Sequence, residues 1–224
     1  MIKSNAWRLG LATLSLIVST PTWADPQWST HTRDYEITIT NLTAGQILTP
    51  ALAVSHDRHF RLFEAGEPAS DTLATLAETG DPQPAATQAM NDTHVFDVQT
   101  DTAPILPGQS RSLILSADRF ARKFSVAGML AATNDGFYAV NAASLPWWGA
   151  TTIYAWAYDA GSEANNEQCD HIPGPPCDNG RNEHQSDRVN FVRVHNGIHG
   201  IGDLSSPALD WRGPVAKITI RRVE

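Results

Sequence analysis

The sequence predicts an all-β protein, an antiparallel sandwich of about eight strands with a short inserted helix and a long irregular loop. Three observations carry this reading. Apolar and polar residues alternate in short segments at both ends of the domain. Further apolar segments of strand length fill the interval without helices between them, and clusters of Gly, Pro, Asn and Asp separate them.

Residues 34–40 form the first strand, with Tyr35, Ile37 and Ile39 on one face and Glu36, Thr38 and Thr40 on the other. The last strand, 216–221, repeats the pattern directly after Pro214, with Ala216, Ile218 and Ile220 against Lys217, Thr219 and Arg221. Between them, strands are expected over 47–54, 94–99, 110–116, 124–132, 137–141, 152–158 and 189–194. One stretch breaks the series. Ser70 or Asp71 can cap a helix that places Leu73, Leu76 and Ala77 on one face, and Gly80 followed by Pro82 ends it. Residues 163–187 are rich in Asn, Gly, Pro and charge and read as a long irregular loop. No internal repeat is visible.

Residues 1–24 read as a signal peptide: Lys3 and Arg8 precede an apolar run over 9–18, and Thr22-Trp23-Ala24 leaves a small residue at a cleavable position. That run is too short to span a bilayer. The expected mature domain is therefore 25–224, secreted or periplasmic, with no transmembrane segment. The formal charge of the chain is −8, and removing the leader with its two cations makes the balance more acidic. No Lys/Arg cluster remains to compete for phosphates, which argues against nucleic acid as a partner. Acidity has two readings, plain solubility or carboxylates gathered around a hard cation, and composition does not separate them.

The two cysteines, Cys169 and Cys177, flank a segment containing Pro173, Gly174, Pro175 and Pro176. In an exported chain this spacing points to a local disulfide that clips one loop. A zinc site would need two further ligands, and His171 and His184 nearby belong to no tight motif.

The chemistry concentrates in the third quarter. An antiparallel meander through 124–132, 137–141 and 152–158 turns at Thr133-Asn134-Asp135-Gly136 and again at Pro146-Trp147-Trp148-Gly149. It brings Asp135 and Asp159 to one end of the sandwich and the tryptophans to the other. Glu163 follows Asp159 across Gly161, which can turn the backbone toward the same point. Three converging carboxylates repel one another unless a cation sits between them, and Ca²⁺ accepts six to eight oxygens in loose geometry. The residues alone leave two readings, a cation site or ordinary solvated loop acids.

Asn134-Asp135-Gly136-Phe137, Trp147, Tyr158-Asp159-Ala160-Gly161-Ser162-Glu163 and Ile172-Pro173 resemble the spondin N-terminal domain, found in F-spondin and mindin and in shorter bacterial proteins. The closing run from Asp210 to Ile220 is similar to that domain's last strand, and Tyr35 to Thr43 to its first. Leu76 to Asp81 resembles the helix region of bacterial members. The likeness spans from about residue 34 to the C-terminus. It implies an eight-stranded antiparallel sandwich, similar in outline to calcium-dependent lipid-binding domains, with Asp135, Asp159 and Glu163 as calcium ligands. At the third position the animal pattern Asp-Ala-Gly-Thr-Asp has an aspartate where this chain has Glu163. The thrombospondin repeats that carry matrix attachment in the animal proteins are not in this sequence, so their adhesive roles do not transfer.

Other constellations are weaker. His195 and His199 are four apart, but Gly197 and Gly200 argue against a helix that would pair them on a metal, and no Glu follows His195 as a zinc-protease motif requires. No Gly-x-Ser-x-Gly elbow is present. Asp135 with Glu163 as an acid–base pair on a glycoside is disfavoured, because carboxylates gathered around calcium shuttle protons poorly. Trp147 and Trp148 at a loop tip can stack on sugars or enter a partner, or one ring can cap the open end of the core. Trp156 reads as a sheet-face residue, Trp211 as packing the core edge. The reading is a non-enzymatic calcium-binding module for an extracellular or cell-surface protein or glycan, with a carbohydrate-binding module on Trp147 and Trp148 as the alternative and a calcium-assisted hydrolase behind it.

Overall fold

The computed structural model describes residues 32–177, 183–187 and 189–223. The leader expected over 1–24 lies outside them, as do residues 178–182 of the expected loop. In chain order the strands are β1 (Arg33–Asn41), β2 (Leu52–His56), β3 (Val95–Thr100), β4 (Ser110–Ala117), β5 (Lys123–Met129), β6 (Gly136–Ser144), β7 (Ala150–Asp159), β8 (Arg193–Val194) and β9 (Ala216–Arg222). The helices are α1 (Asp71–Thr79), α2 (Gln83–Met90) and the single turn α3 (Ser206–Leu209).

All neighbours pair antiparallel, in the order β3-β2-β5-β6-β7-β9-β1-β4, with β8 added beside β7. The sandwich comes from β7, which belongs to both layers. Its second half, from Trp156, pairs with β6, and its first half, up to Ala155, pairs with β9. The ends of the path nearly close. Ser55 Oγ on β2 donates to the Ser116 carbonyl at 2.6 Å, and Ser116 N on β4 donates to Asp97 Oδ2 on β3 at 2.7 Å.

Alternation builds the inner layer. Ile37, Ile39, Leu115, Ile218 and Ile220 point inward from one half and meet Phe124, Val126, Tyr138 and Val140 from the other. A second apolar layer lies outside β2, β5 and β6, where Leu52, Val54, Ala127, Phe137 and Ala139 are covered by Leu73, Leu76 and Ala77 of α1 and Ala85, Ala86 and Ala89 of α2. Every residue of β2 is therefore buried, which is why the central strands read as apolar runs and not as alternation.

α1 starts where Ser70 Oγ accepts from Leu73 N and ends where Gly80, at φ 74°, donates to the Leu76 carbonyl, as its caps predict. Three expected strands are shorter than predicted, the segment 124–132 ending as β5 at Met129. The segment 47–54 enters the sheet only at Leu52, its first half holding isolated bridges from Leu48 to Ile105 and Leu130. The segment 189–194 contributes only the two residues of β8.

Candidate functional site

The β6–β7 pairing sets the acidic end. Gly136 lies opposite Asp159, so Asp135 and Asp159 leave the sheet side by side, and the Ala160 N–H extends the ladder to the Asp135 carbonyl at 3.1 Å. After Asp159 the chain turns at Gly161, at φ 72°, where a Cβ would stand 2.4 Å from the Phe191 carbonyl oxygen; only glycine fits there. The turn wraps the backbone over Asp135. Ser162 N and Glu163 N donate to Asp135 Oδ2 at 2.8 and 3.0 Å, with Ser162 Oγ at 3.3 Å.

All three acids are buried, Asp135 at 0%, Asp159 at 1% and Glu163 at 2% exposure, which excludes the solvated-loop reading. Their neighbours differ. Asp159 Oδ1 accepts from Gly161 N at 2.8 Å, and its Oδ2 meets Asn165 Nδ2 and Arg193 Nη2, the latter at 2.9 Å. Arg193 is brought there by the two-residue β8, which places it opposite Asp159, and it also bonds Asp187 at 2.6 Å. Glu163 faces the other way. Its Oε1 lies 3.3 Å from His184 Nδ1, which in turn stands 3.6 Å from Glu78 Oε2 on α1. One ligand atom from each of Glu78, Glu163 and His184 lies within 4.8 Å of the others, whereas Asp135, Asp159 and Glu163 do not form such a group.

Two oxygens are left over. Asp135 Oδ1 and Glu163 Oε2 are buried with no hydrogen-bond partner. Burial and the adjacent Asp159 push the Asp135 carboxyl up to about 7, against the lowering effect of its three donors. Burial, then Glu78 and Asp135, push Glu163 up to about 8. Burial also raises Asp159, opposed by Asn165 and Arg193. Carboxylates so buried are relieved either by holding a proton or by a cation; the oxygens that could ligate a hard divalent ion are Asp135 Oδ1 and Glu163 Oε2, with carbonyls and water as the usual completing ligands.

The surrounding loop is braced by Glu167, which the sequence reading passed over. It is buried, and its two carboxylate oxygens accept from the backbone N–H groups of His199, Gly200 and Ile201 at 2.6, 2.7 and 3.0 Å. Cys169 and Cys177 are bonded and join a small apolar cluster with Ile172, Ile198, Leu204 and Leu209. His195 and His199 share no metal position. His195 is buried, its Nδ1 accepts from Gly197 N at 3.0 Å, and its ring lies 5.1 Å from Trp211. Trp211 is partly buried against the core. At the opposite end, Trp147 and Trp148 are 59% and 81% exposed, so neither ring caps the core. Trp147 instead lies beneath the guanidinium groups of Arg33 and Arg122, at 4.8 and 5.0 Å from its ring centre.

A family model described as Spondin_N matches residues 12–176, which covers β1 to β7 and ends one residue before Cys177. No curated protein matches the chain.

Proposed function

The chain belongs to the spondin N-terminal domain family, and from that premise we propose that it is an exported, non-enzymatic binding or adhesion module whose acidic end binds one calcium ion. The observation that carries the reading is the pair of buried, unpartnered carboxylate oxygens on Asp135 and Glu163 beside the buried Asp159. Bound calcium would supply positive charge to Asp135 and Glu163, whose orphan oxygens lack it, beside an Asp159 already paired with Arg193. The chain's own residues do the rest: Asp135 Oδ2 holds the 162–163 backbone, Arg193 and Asn165 hold Asp159, and Glu163 ties this loop to α1 through His184. Ordering this loop fixes the surface offered to an extracellular or cell-surface protein or glycan.

Thermal unfolding of the oxidised protein in calcium, in magnesium and in chelator, with elemental analysis, tests the reading. A calcium-selective rise in midpoint with about one bound ion supports it; no ion and no shift reject it.

A second reading, a carbohydrate-binding module at the tryptophan end, is favoured by one observation, the two exposed indoles with Arg33 and Arg122 over the first. Its mark is loss of glycan binding in a Trp147→Ala/Trp148→Ala variant that keeps its calcium response. Glycan binding that survives in that variant rules the tip out.

A further inference from the structure

A second, chemically different cluster lies where β2 ends and β3 begins. Asp57 directly follows β2 and His94 directly precedes β3, and Asp57 N donates to the His94 carbonyl at 2.9 Å, so the two are cross-strand neighbours. Two local turns pin them. Asp57 Oδ1 accepts from His59 N at 2.7 Å and swings the His59 ring back over the strand end, while Asp92 Oδ1 accepts from His94 N at 2.8 Å. Both imidazoles then aim Nδ1 at one atom, Asp57 Oδ2, at 3.3 Å from His59 and 3.0 Å from His94, with ring centres 5.0 Å apart.

We propose that Asp57, His59 and His94 form a surface site for a first-row divalent cation that prefers imidazole nitrogen, Zn²⁺ or Cu²⁺, with water filling the remaining positions. Bonds of about 2.0–2.1 Å in a tetrahedron place neighbouring ligand atoms about 3.3 Å apart. Two of the three edges, at 3.3 and 3.0 Å, are at or just under that length, and one ligand atom from each residue lies within 4.8 Å of the others. Closing the third edge takes a rotation of two partly exposed rings.

The ligand set of two imidazoles and one carboxylate suits these ions and not calcium, which favours oxygen. His56 is no competitor, because its Nδ1 meets the Asp57 carbonyl and its Nε2 meets Ser125 Oγ. The charges around the site are mixed. Asp92 and Asp118 add negative charge, and Asp118 lines a depression of about 210 Å³ beside Asp57 and His94. Arg58 opposes them, with Nε donating to His59 Nε2 at 3.3 Å, and it must turn away as the metal takes Nδ1 and the ring proton moves to Nε2. It is exposed and can do so.

This site does not depend on the calcium reading, and titration of the oxidised protein with zinc chloride in excess calcium tests it alone. One equivalent is expected to bind. His59→Ala and His94→Ala should each weaken it about tenfold or more, since changes merely behind metal ligands already cost that much. His184→Ala, in the cluster with Glu78 and Glu163, should leave it unchanged. The inference is overturned if zinc fails to bind the unaltered protein, or if binding survives His94→Ala and is lost in His184→Ala. Thermal midpoints of the His59 and His94 variants in chelator should match the parent, separating ligand loss from misfolding.

Discussion

Asp135 has one oxygen with three donors and one with none, and it sits in a fully buried site beside a second carboxylate. Asp135→Asn keeps an acceptor for the Ser162 and Glu163 N–H groups and deletes the charge. The two effects separate by condition. In chelator the variant should be as stable as the parent or more so, because buried repulsion is removed. In calcium it should be less stable, because the ion has lost a ligand. Calorimetry in the two buffers reads the crossing, and an equal loss in both would show that Asp135 acts only as a hydrogen-bond acceptor. The same groups set a pH dependence. With folded-state values near 7 for Asp135 and near 8 for Glu163, against about 4 unfolded, the calcium-free folded state holds more protons than the unfolded chain across that interval. Their contribution is complete below pH about 4 and is lost as pH rises through about 7 to 8, on the order of a few kcal/mol. His195 slopes the other way: burial holds its imidazole near 4, so it destabilises the fold as pH falls below about 6.5. Urea unfolding in chelator between pH 7 and 8.5 isolates the carboxylates, and a midpoint that does not fall there contradicts the assignment.

The loop that carries Glu163 and the loop from 195 to 204 meet at Glu167, whose carboxylate takes three backbone N–H groups, and at Asp203, whose Oδ2 accepts from Cys169 N at 2.9 Å. Removing Glu167 takes the charged acceptor from three backbone donors. His199, Gly200 and Ile201 are exposed, so water can replace part of what is lost, and Glu167→Ala should cost about 1.5–3 kcal/mol in chemical denaturation and release these amides to rapid hydrogen exchange; retained protection would place the brace elsewhere. Nothing in the sequence marks this residue. Its partners lie more than thirty positions away, and a lone Glu in a polar loop has no local pattern. The two helices show the same limit. α1 is legible from Ser70, its leucine face and Gly80, while α2 hides because its buried face is only Ala85, Ala86 and Ala89, and because Pro82 and Pro84 read as breakers. Proline is tolerated in a first helical turn, where its missing N–H has no partner to lose. The strands that face solvent on one side, β1 and β9, declare themselves by alternation. β8 does not, because it exists as the ladder step that sets Arg193 against Asp159.

At the scale of the whole molecule the sandwich has two unlike ends joined by the β6–β7 hairpin, whose nine and ten residues at about 3.3 Å each separate them by roughly 30 Å. The meander order of the sequence places Asp135 with Asp159 and the tryptophans opposite them, because successive antiparallel strands must alternate direction. The change of partners within β7 is not legible, since it depends on β9, some sixty residues further on. The same division separates stability from site. The inner core is built from β1, β2, β4 to β7 and β9, and neither cysteine belongs to it. The Cys169–Cys177 bond instead clips the loop beside Glu167 and supports the small cluster beneath it. A Cys169→Ser/Cys177→Ser variant should thus fold, with a stability loss of about 2.5 kcal/mol for a closed loop of this length. Because the clipped segment follows Glu163 directly, the loss should fall on the calcium end: the calcium-induced rise in midpoint should shrink, while ligand binding at Trp147 and Trp148 stays as it was. Failure of the variant to fold at all would mean that the acidic end nucleates the sandwich; an undiminished calcium response would mean that Asp135, Arg193 and Glu167 hold that end without the clip.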